Sequence, residues 1–398
     1  MIWDSRILLD LESKRSAQFT LKPRPPRPEV DDEPDVHEVP ELREHTDEVV
    51  ATREQPRPRS TGGGSDGGRG LELKRVLLTD KIAPEAERIL EAFGDIETMS
   101  IGTPSNSELL EMIPEFEAII IRSPTKLTAP VIEKADRLKF IGRAGVGVDN
   151  IDLAAATKRG IVVMNSPRSN TISTAEHTLA MMLALAREIP RAHDSVMAGE
   201  WKRDSFKGVE LAEKILGIVG LGRVGREVAT RAVAFGMNVI AFDPIVNPAE
   251  AWVAGTKMVT WEELITYSDW ITVHTPLDDS TKSLIGPTEI AAMKTGVFLV
   301  NVARGGIIDE SALADALDGG HVSGVALDVF EKEPPAANHR LFKHPRVVFS
   351  PHLGGQTVDA QRRVATDVAE SVGLALSRGE IRDAVNVING QRPSVGTE

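Results

Sequence analysis

The sequence predicts an α/β protein with two parallel sheets behind an arm that does not fold, and three observations carry that prediction. Between Lys214 and Pro244 lies a complete strand–helix–strand unit. A stretch beginning at Arg75 repeats its rhythm without its glycines, and short apolar runs alternate with helical stretches along most of the chain, as a parallel sheet requires. The length of 398 residues suggests two or three domains, and 41% hydrophobic content is ample for sizeable cores.

The arm comes first. Pro23, Pro25, Pro26 and Pro28 lead into an acidic run from Glu29 to Glu48, followed by Pro56, Pro58 and the Thr61–Gly70 stretch TGGGSDGGRG. So little apolar surface cannot offset the entropy of ordering the backbone, and residues 1–73 are expected to be disordered. The segment is too acidic for an organellar transit peptide, and Ile7–Leu11 is too short for a signal-peptide core. Two readings of it stay open: a tether for a partner, or a dispensable extension.

Order begins at Arg75. RVLLTD is a strand, Pro84–Phe93 an amphipathic helix with proline at its start and Gly94 at its end, and a second strand opens at Ile96. The first turn is Thr79-Asp80-Lys81, without glycine, so this is an α/β domain lacking a dinucleotide site. Ala118–Pro124, Leu138–Asp152 and Ile161–Pro167 continue the strands. Thr171–Arg187 is a long apolar helix with Ile172, Ala175, Leu179, Met182 and Leu183 as buried candidates. Its apolar side chains cover so much of its circumference that it must be covered on more than one side, by its own chain or by a second subunit.

In the Lys214–Pro244 unit, Ile215, Leu216, Ile218 and Val219 form an apolar run without helical spacing, and Gly220, Gly222 and Gly225 follow as G-x-G-x-x-G. Val224, Val228, Ala232 and Phe235 share one helical face, Gly236 ends the helix, and Asn238–Phe242 is a second strand ending at Asp243. The first glycine allows a tight turn, the second lets backbone N–H groups approach a pyrophosphate, and the third lets helix and strand pack closely. Asp243 is placed to accept hydrogen bonds from a ribose diol and to repel a 2′-phosphate, which favours NAD over NADP.

Four further strands are predicted in Trp270–Pro276, Val297–Gly306, Val322–Phe330 and Val347–Gly355, each with polar residues just past its apolar run. Ligands of open α/β sheets gather outside the carboxyl ends of the strands, so Thr275, Arg304, Asp328 and His352 are expected in one crevice. A nicotinamide cofactor needs a proton shuttle beside it, and histidine suits that task. Of nine histidines only His352 follows a strand end and precedes a glycine pair, whereas His177, His193 and His321 read as structural. Glu333, stiffened by two prolines, is the candidate to orient His352, and the planar fork of Arg304 suits a substrate carboxylate.

Composition excludes other classes. A formal charge of −13 argues against a nucleic-acid or anionic-membrane surface. With 0 cysteines there is no disulfide, thiolate nucleophile or zinc–thiolate site, which fits a reducing cytoplasm, and no metal site is expected. No apolar run approaches the length of a membrane span, so a soluble protein is expected.

The runs GRAGVGVDNID, SNTISTAEHTLAMMLALAR, GLGRVG, NVARGGIIDE, ALDVFEKEPP and SPHLGG, in this order, resemble the D-isomer-specific 2-hydroxyacid dehydrogenase family over about Arg75–Asn386. The resemblance implies two Rossmann-like or flavodoxin-like α/β domains, one discontinuous. Residues 74–169 with 355–389 would form the substrate domain, 170–354 the NAD domain, and 390–398 a polar tail. It implies a catalytic set of Arg304, Glu333 and His352. NAD contacts would fall on Arg223, Val224, Asp243, Thr275, Ala303, Asp328 and Gly354, and substrate contacts on Arg122, Ser123, Ala144, Gly145, Val146, Gly147 and Asn170.

Within the family the likeness points to oxidation of 3-phospho-D-glycerate to 3-phosphooxypyruvate, the first step of serine synthesis. Arg122 and Arg143 suit a phosphate or a second carboxylate equally, so glycerate and 2-hydroxyglutarate stay open as substrates. An NAD(H)-sensing scaffold like the C-terminal-binding co-repressors is the reading of another class. Many members continue past the equivalent of Asp383–Asn386 into a serine-sensing domain, and here only VINGQRPSVGTE follows. The expectation is a homodimer, joined through the helix after Asn170, that L-serine does not inhibit.

Overall fold

The computed structural model describes residues 73–247, 253–386 and 388. Apart from Leu73, the arm expected over 1–73 lies outside the described residues, as does the tail expected over 390–398.

The first sheet uses β1 (Lys74–Leu78), β2 (Ile96–Ser100), β3 (Ala118–Ile121), β4 (Phe140–Arg143) and β5 (Val162–Asn165), all parallel, in the order β2-β1-β3-β4-β5. Its strands are connected by α1 (Glu85–Glu91), α2 (Asn106–Met112), α3 (Ala129–Lys134) and α4 (Leu153–Lys158). Side chains alternate across a strand, so Val76, Leu78 and Ile120 enter one core while Leu77, Ile119 and Ile121 enter another on the opposite face.

Two helices, α5 (Thr171–Ala186) and α6 (Ile189–Met197), lead to the second sheet. It is built from β6 (Ile215–Val219), β7 (Asn238–Phe242), β8 (Thr256–Met258), β9 (Trp270–Val273), β10 (Val297–Asn301), β11 (Val322–Leu327) and β12 (Val347–Phe349). Its helices are α7 (Arg223–Ala234), α8 (Trp261–Tyr267), α9 (Pro287–Ala292) and α10 (Glu310–Asp318). All seven strands are parallel, in the order β12-β11-β10-β9-β6-β7-β8. Strand order reverses between β1 and β3 in one sheet and between β6 and β9 in the other, and such switch points are where open α/β sheets bind ligands.

The last helix, α11 (Val358–Arg378), returns to the first sheet. Val364, Val368 and Val372 pack with Val76, Leu78 and Ile120, so that half is discontinuous in sequence. Asn386 fastens the return. Its side chain accepts from Val163 N at 2.9 Å and donates to Ile161 O at 2.9 Å.

Three features differ from the expectations. Strand β8 went unread because it is a three-residue edge strand without an apolar run. Helix α6 went unread because none of its residues is buried. Within α5, Ile172 is 39% exposed, whereas Ala175, Leu179 and Met182 are buried against β6, β10 and α7 side chains such as Leu216, Val300 and Val228. The apolar demand of α5 is therefore met mainly within the chain. Four of the large exposed apolar side chains are instead close together in sequence on and after α6: Ile189, Val196, Met197 and Trp201.

Candidate active site

A cavity of about 640 Å³ lies between the carboxyl ends of the two sheets. Loops after β1, β3, β4 and β5 form one wall, and loops after β9, β10 and β12 with the start of α7 form the other. Lys81, Arg122, Arg143, Arg223 and Arg304 line it, and Asp149 is the one carboxylate among the described lining residues.

His352 follows β12 on a turn that places it at φ +57°. Its backbone N–H donates to Asp328 O at 2.7 Å, and its Nδ1 lies 2.7 Å from Glu333 Oε2. Glu333 Oε1 accepts from Phe330 N at 3.1 Å, which fixes the carboxylate. Burial pushes the Glu333 carboxyl up, but the bond to His352 and its charge, the Phe330 N–H and Arg304 outweigh that and leave it below the usual carboxylate range.

Arg304 leaves β10 on a turn held by Asn301, which donates to Arg304 O at 2.8 Å and accepts from Ala303 N at 3.0 Å. The next residue must be glycine, because a Cβ on Gly305 would lie 1.8 Å from Phe330 O. That close approach joins the Arg304 turn to the segment carrying Glu333. Arg304 Nε meets Asp149 Oδ2 at 3.3 Å across the cleft. Beside it, Arg143 donates to Ser123 Oγ at 2.7 Å and to Ala144 O at 2.9 Å, while its buried Nε has no partner among the described residues. Burial, with repulsion from Arg304 and Arg122, brings Arg143 down to about 10.

All of the expected substrate contacts, Arg122, Ser123, Ala144–Gly147 and Asn170, line this cavity, as do Arg223, Val224, Thr275, Ala303, Arg304, His352 and Gly354. Glu333 stands behind His352. Gly220, Gly222 and Gly225 lie outside the cavity lining at the β6–α7 turn, as does Asp243 at the end of β7.

Asp328 differs from its expectation. It is fully buried, and its carboxylate accepts from Leu353 N at 2.7 Å, Gly354 N at 2.8 Å and Ser350 Oγ at 2.5 Å, with His177 Nε2 at 3.3 Å. It holds the His352 turn from below instead of facing the cavity, and His177 is structural, as expected. His193 is not, since it is exposed on α6. The sequence reading missed His274, which lines the cavity, pairs with Thr272 Oγ1 at 3.0 Å and is pushed by burial down to about 4. Its position just past the apolar run of the predicted Trp270–Pro276 segment was the available signal. Gln356 was also missed; its Oε1 accepts from Arg122 Nη2 at 3.3 Å.

The family profile of the D-isomer-specific 2-hydroxyacid dehydrogenase, NAD binding domain, matches residues 179–354. D-3-phosphoglycerate dehydrogenase of Mycobacterium tuberculosis is 47% identical over 321 residues, which is 80% of this chain and 60% of that protein. Among solved structures, the TT0316 protein of Thermus thermophilus is 34% identical with a TM-score of 0.71, over 78% of this chain and 100% of that one. A D-lactate dehydrogenase of Aquifex aeolicus, complexed with NAD and lactic acid, is 31% identical with a TM-score of 0.67, over 76% of this chain and 96% of that one. The chain belongs to the D-isomer-specific 2-hydroxyacid dehydrogenase family. It spans about 60% of the length of the curated relatives it matches.

The fold places the features of an NAD-binding dehydrogenase at the β6–α7 turn. Gly220 takes φ +94°, and a Cβ there would lie 2.9 Å from His274 O. Gly222 caps α7 without a side chain and opens onto free space, so the first N–H groups of the helix are accessible to an anion. Asp243 accepts from Leu221 N at 2.8 Å, locking the end of β7 to the glycine turn. Thr275 Oγ1 is buried and has no hydrogen-bond partner among the described residues, as expected of a group that binds a cofactor. These residues fit NAD.

Proposed function

We propose that the protein oxidises 3-phospho-D-glycerate to 3-phosphooxypyruvate with NAD, the reaction that opens L-serine synthesis. The charge of the cavity carries this reading: five cationic side chains face one carboxylate, which suits a ligand bearing both a carboxylate and a phosphate. Bound NAD supplies the hydride acceptor. Arg304 grips the substrate carboxylate and exchanges Asp149 for it. His352 takes the C2 hydroxyl proton at Nε2, because Glu333 occupies Nδ1 and stabilises the imidazolium that forms. Arg122 and Arg143, with Ser123 between them, receive the phosphate, and Ala144–Gly147 and Asn170 shape the rest of the pocket. Arg223, Val224, Asp243, Thr275, Ala303 and Gly354 hold NAD, with Asp243 directing the preference away from NADP.

We assign residues 74–169 and 355–389 to substrate binding and 170–354 to NAD binding. The protein acts as a cytoplasmic homodimer, with Ile189, Val196, Met197 and Trp201 supplying the contact in place of α5. Steady-state rates with 3-phospho-D-glycerate, D-glycerate, D-lactate and D-2-hydroxyglutarate test the reading. The phosphorylated acid is expected to have the highest kcat/KM, and a higher value for any unphosphorylated acid overturns it.

A further inference from the structure

Asp80 stands at the end of β1 in a left-handed conformation, φ +63°, that side chains other than glycine adopt infrequently, and it is 8% exposed. Such a backbone persists only where its surroundings hold it, and the surroundings here are specific. Asp80 Oδ2 accepts from Arg122 N at 2.8 Å and from Thr79 Oγ1 at 3.4 Å. Oδ1 accepts from Thr103 Oγ1 at 2.8 Å and from Thr125 Oγ1 at 3.0 Å. The loop from Arg122 to Thr125 is grasped from its other side by Asn150, whose Nδ2 donates to Arg122 O at 2.8 Å and to Thr125 O at 2.6 Å. Neither Asp80 nor Asn150 lines the cavity, whereas Arg122 and Ser123 do.

These bonds are not needed to hold the strands. The end of β1 is already fastened to its neighbours by Thr79 N to Ile120 O at 3.0 Å and Ile101 N to Leu78 O at 2.9 Å. What the two side chains add is a fixed path for four residues that lie past the end of β3. Both termini of that path are specified: Arg122 donates its N–H to Asp80 and accepts from Asn150 at its C=O, and Thr125 donates its hydroxyl to Asp80 and accepts from Asn150 at its C=O. The guanidinium of Arg122 also donates to Lys81 O at 3.2 Å, the residue after Asp80, so its direction depends on the same turn.

We propose that Asp80 and Asn150 form a two-sided clamp that positions the Arg122–Thr125 loop and so sets discrimination for a phosphorylated 2-hydroxy acid over an unphosphorylated one. Both are positioning residues, and the proposal rests on the reading that Arg122 meets the substrate phosphate. Sequence gave no sign of it, since a strand-end Asp and a loop Asn are common turn residues.

The test compares Asp80→Asn, Asn150→Ala and Arg122→Ala with the unaltered full chain, using 3-phospho-D-glycerate and D-glycerate in parallel and recording a thermal melt of each. Asp80→Asn leaves one acceptor for Arg122 N, removes the charge and makes the Thr103 and Thr125 hydroxyls turn round to accept, and Asn150→Ala removes both donors to the loop. For either variant we expect KM for 3-phospho-D-glycerate to rise about tenfold, with its kcat, and KM for D-glycerate and NAD, within about twofold. An unchanged KM for 3-phospho-D-glycerate, or an equal loss with both substrates, overturns the clamp. If Arg122→Ala affects both substrates alike, the phosphate reading itself falls; if it discriminates and the clamp variants do not, only the clamp falls. Should Asp80→Asn not fold, Thr125→Val removes one of its donors and is read by the same criteria.

Discussion

With Glu333 2.7 Å from its Nδ1, His352 has one ring nitrogen left for a substrate, and that pairing decides what substitution does. His352→Ala is expected to lower kcat by about 10²–10⁴-fold while NAD affinity, measured by fluorescence titration, stays the same. Glu333→Gln keeps the size but withdraws the negative charge from a protonated imidazole. It is expected to lower kcat less and to move the acid limb of the oxidation rate to lower pH; a limb that stays in place would show that the carboxylate does not act through His352. Asp243 carries a different expectation from a simple ribose contact, since it also accepts from the backbone of Leu221, Ile245 and Val246. Asp243→Ala is therefore expected to narrow the ratio of kcat/KM for NAD over NADP and to weaken NAD binding as well, through the loosened glycine turn. An unchanged NAD/NADP ratio removes Asp243 from cofactor choice.

At the scale of elements, the carboxyl end of β9 holds a chargeable group that affects stability. His274, just past β9, is pushed from 6.5 to about 4 by burial, so between those values only the unfolded chain takes up the proton. Stability from this group is fully present above pH 6.5 and is lost as the pH falls toward 4, by at most about 3 kcal/mol given ~1.4 kcal/mol per pH unit. His274→Gln is expected to flatten the fall of urea midpoint over that range, and parallel curves for the two proteins would count against the account. Packing of α11 gives a second expectation. A Cβ on Gly142 in β4 would come within 2.8 Å of Val368 and Val372, so Gly142→Ala overpacks that contact and is expected to cost about 1–3 kcal/mol in chemical denaturation.

Strand–helix alternation, the β6–α7 glycine turn and the Arg304, Glu333 and His352 positions were legible because each leaves a local pattern of apolar runs, glycines and strand-end polar residues. The roles of Asp80, Asn150 and Asp328 were not, because their partners lie in other loops: Asp328 and Leu353 are 25 residues apart, and Asp80 and Thr125 are 45 apart. The short edge strand β8 and the exposed helix α6 lack a buried face, so periodicity carried no signal for either.

For the whole molecule, α6 and the segment after it carry a run of exposed apolar side chains that a second copy would cover, with Met197 74% and Trp201 80% exposed. Val196→Asp combined with Trp201→Asp is expected to halve the mass seen by light scattering without lowering the melting temperature of the isolated subunit. A particle of unchanged mass would mean that subunits join elsewhere.

The return of α11 to the first sheet also orders events in time. The five strands of that sheet end at Asn165, yet the helix that supplies Val364, Val368 and Val372 begins at Val358, 358 − 165 = 193 residues later. At roughly 5–20 residues per second, a ribosome needs about 10–40 s to make that span. During it, the face of β3, β4 and β5 that α11 covers stays open, while the seven-stranded sheet, whose cores draw on nothing before α5, is made whole. The sheet that is made first is thus finished after the one that is made second, and newborn chains carry an open apolar face until α11 emerges.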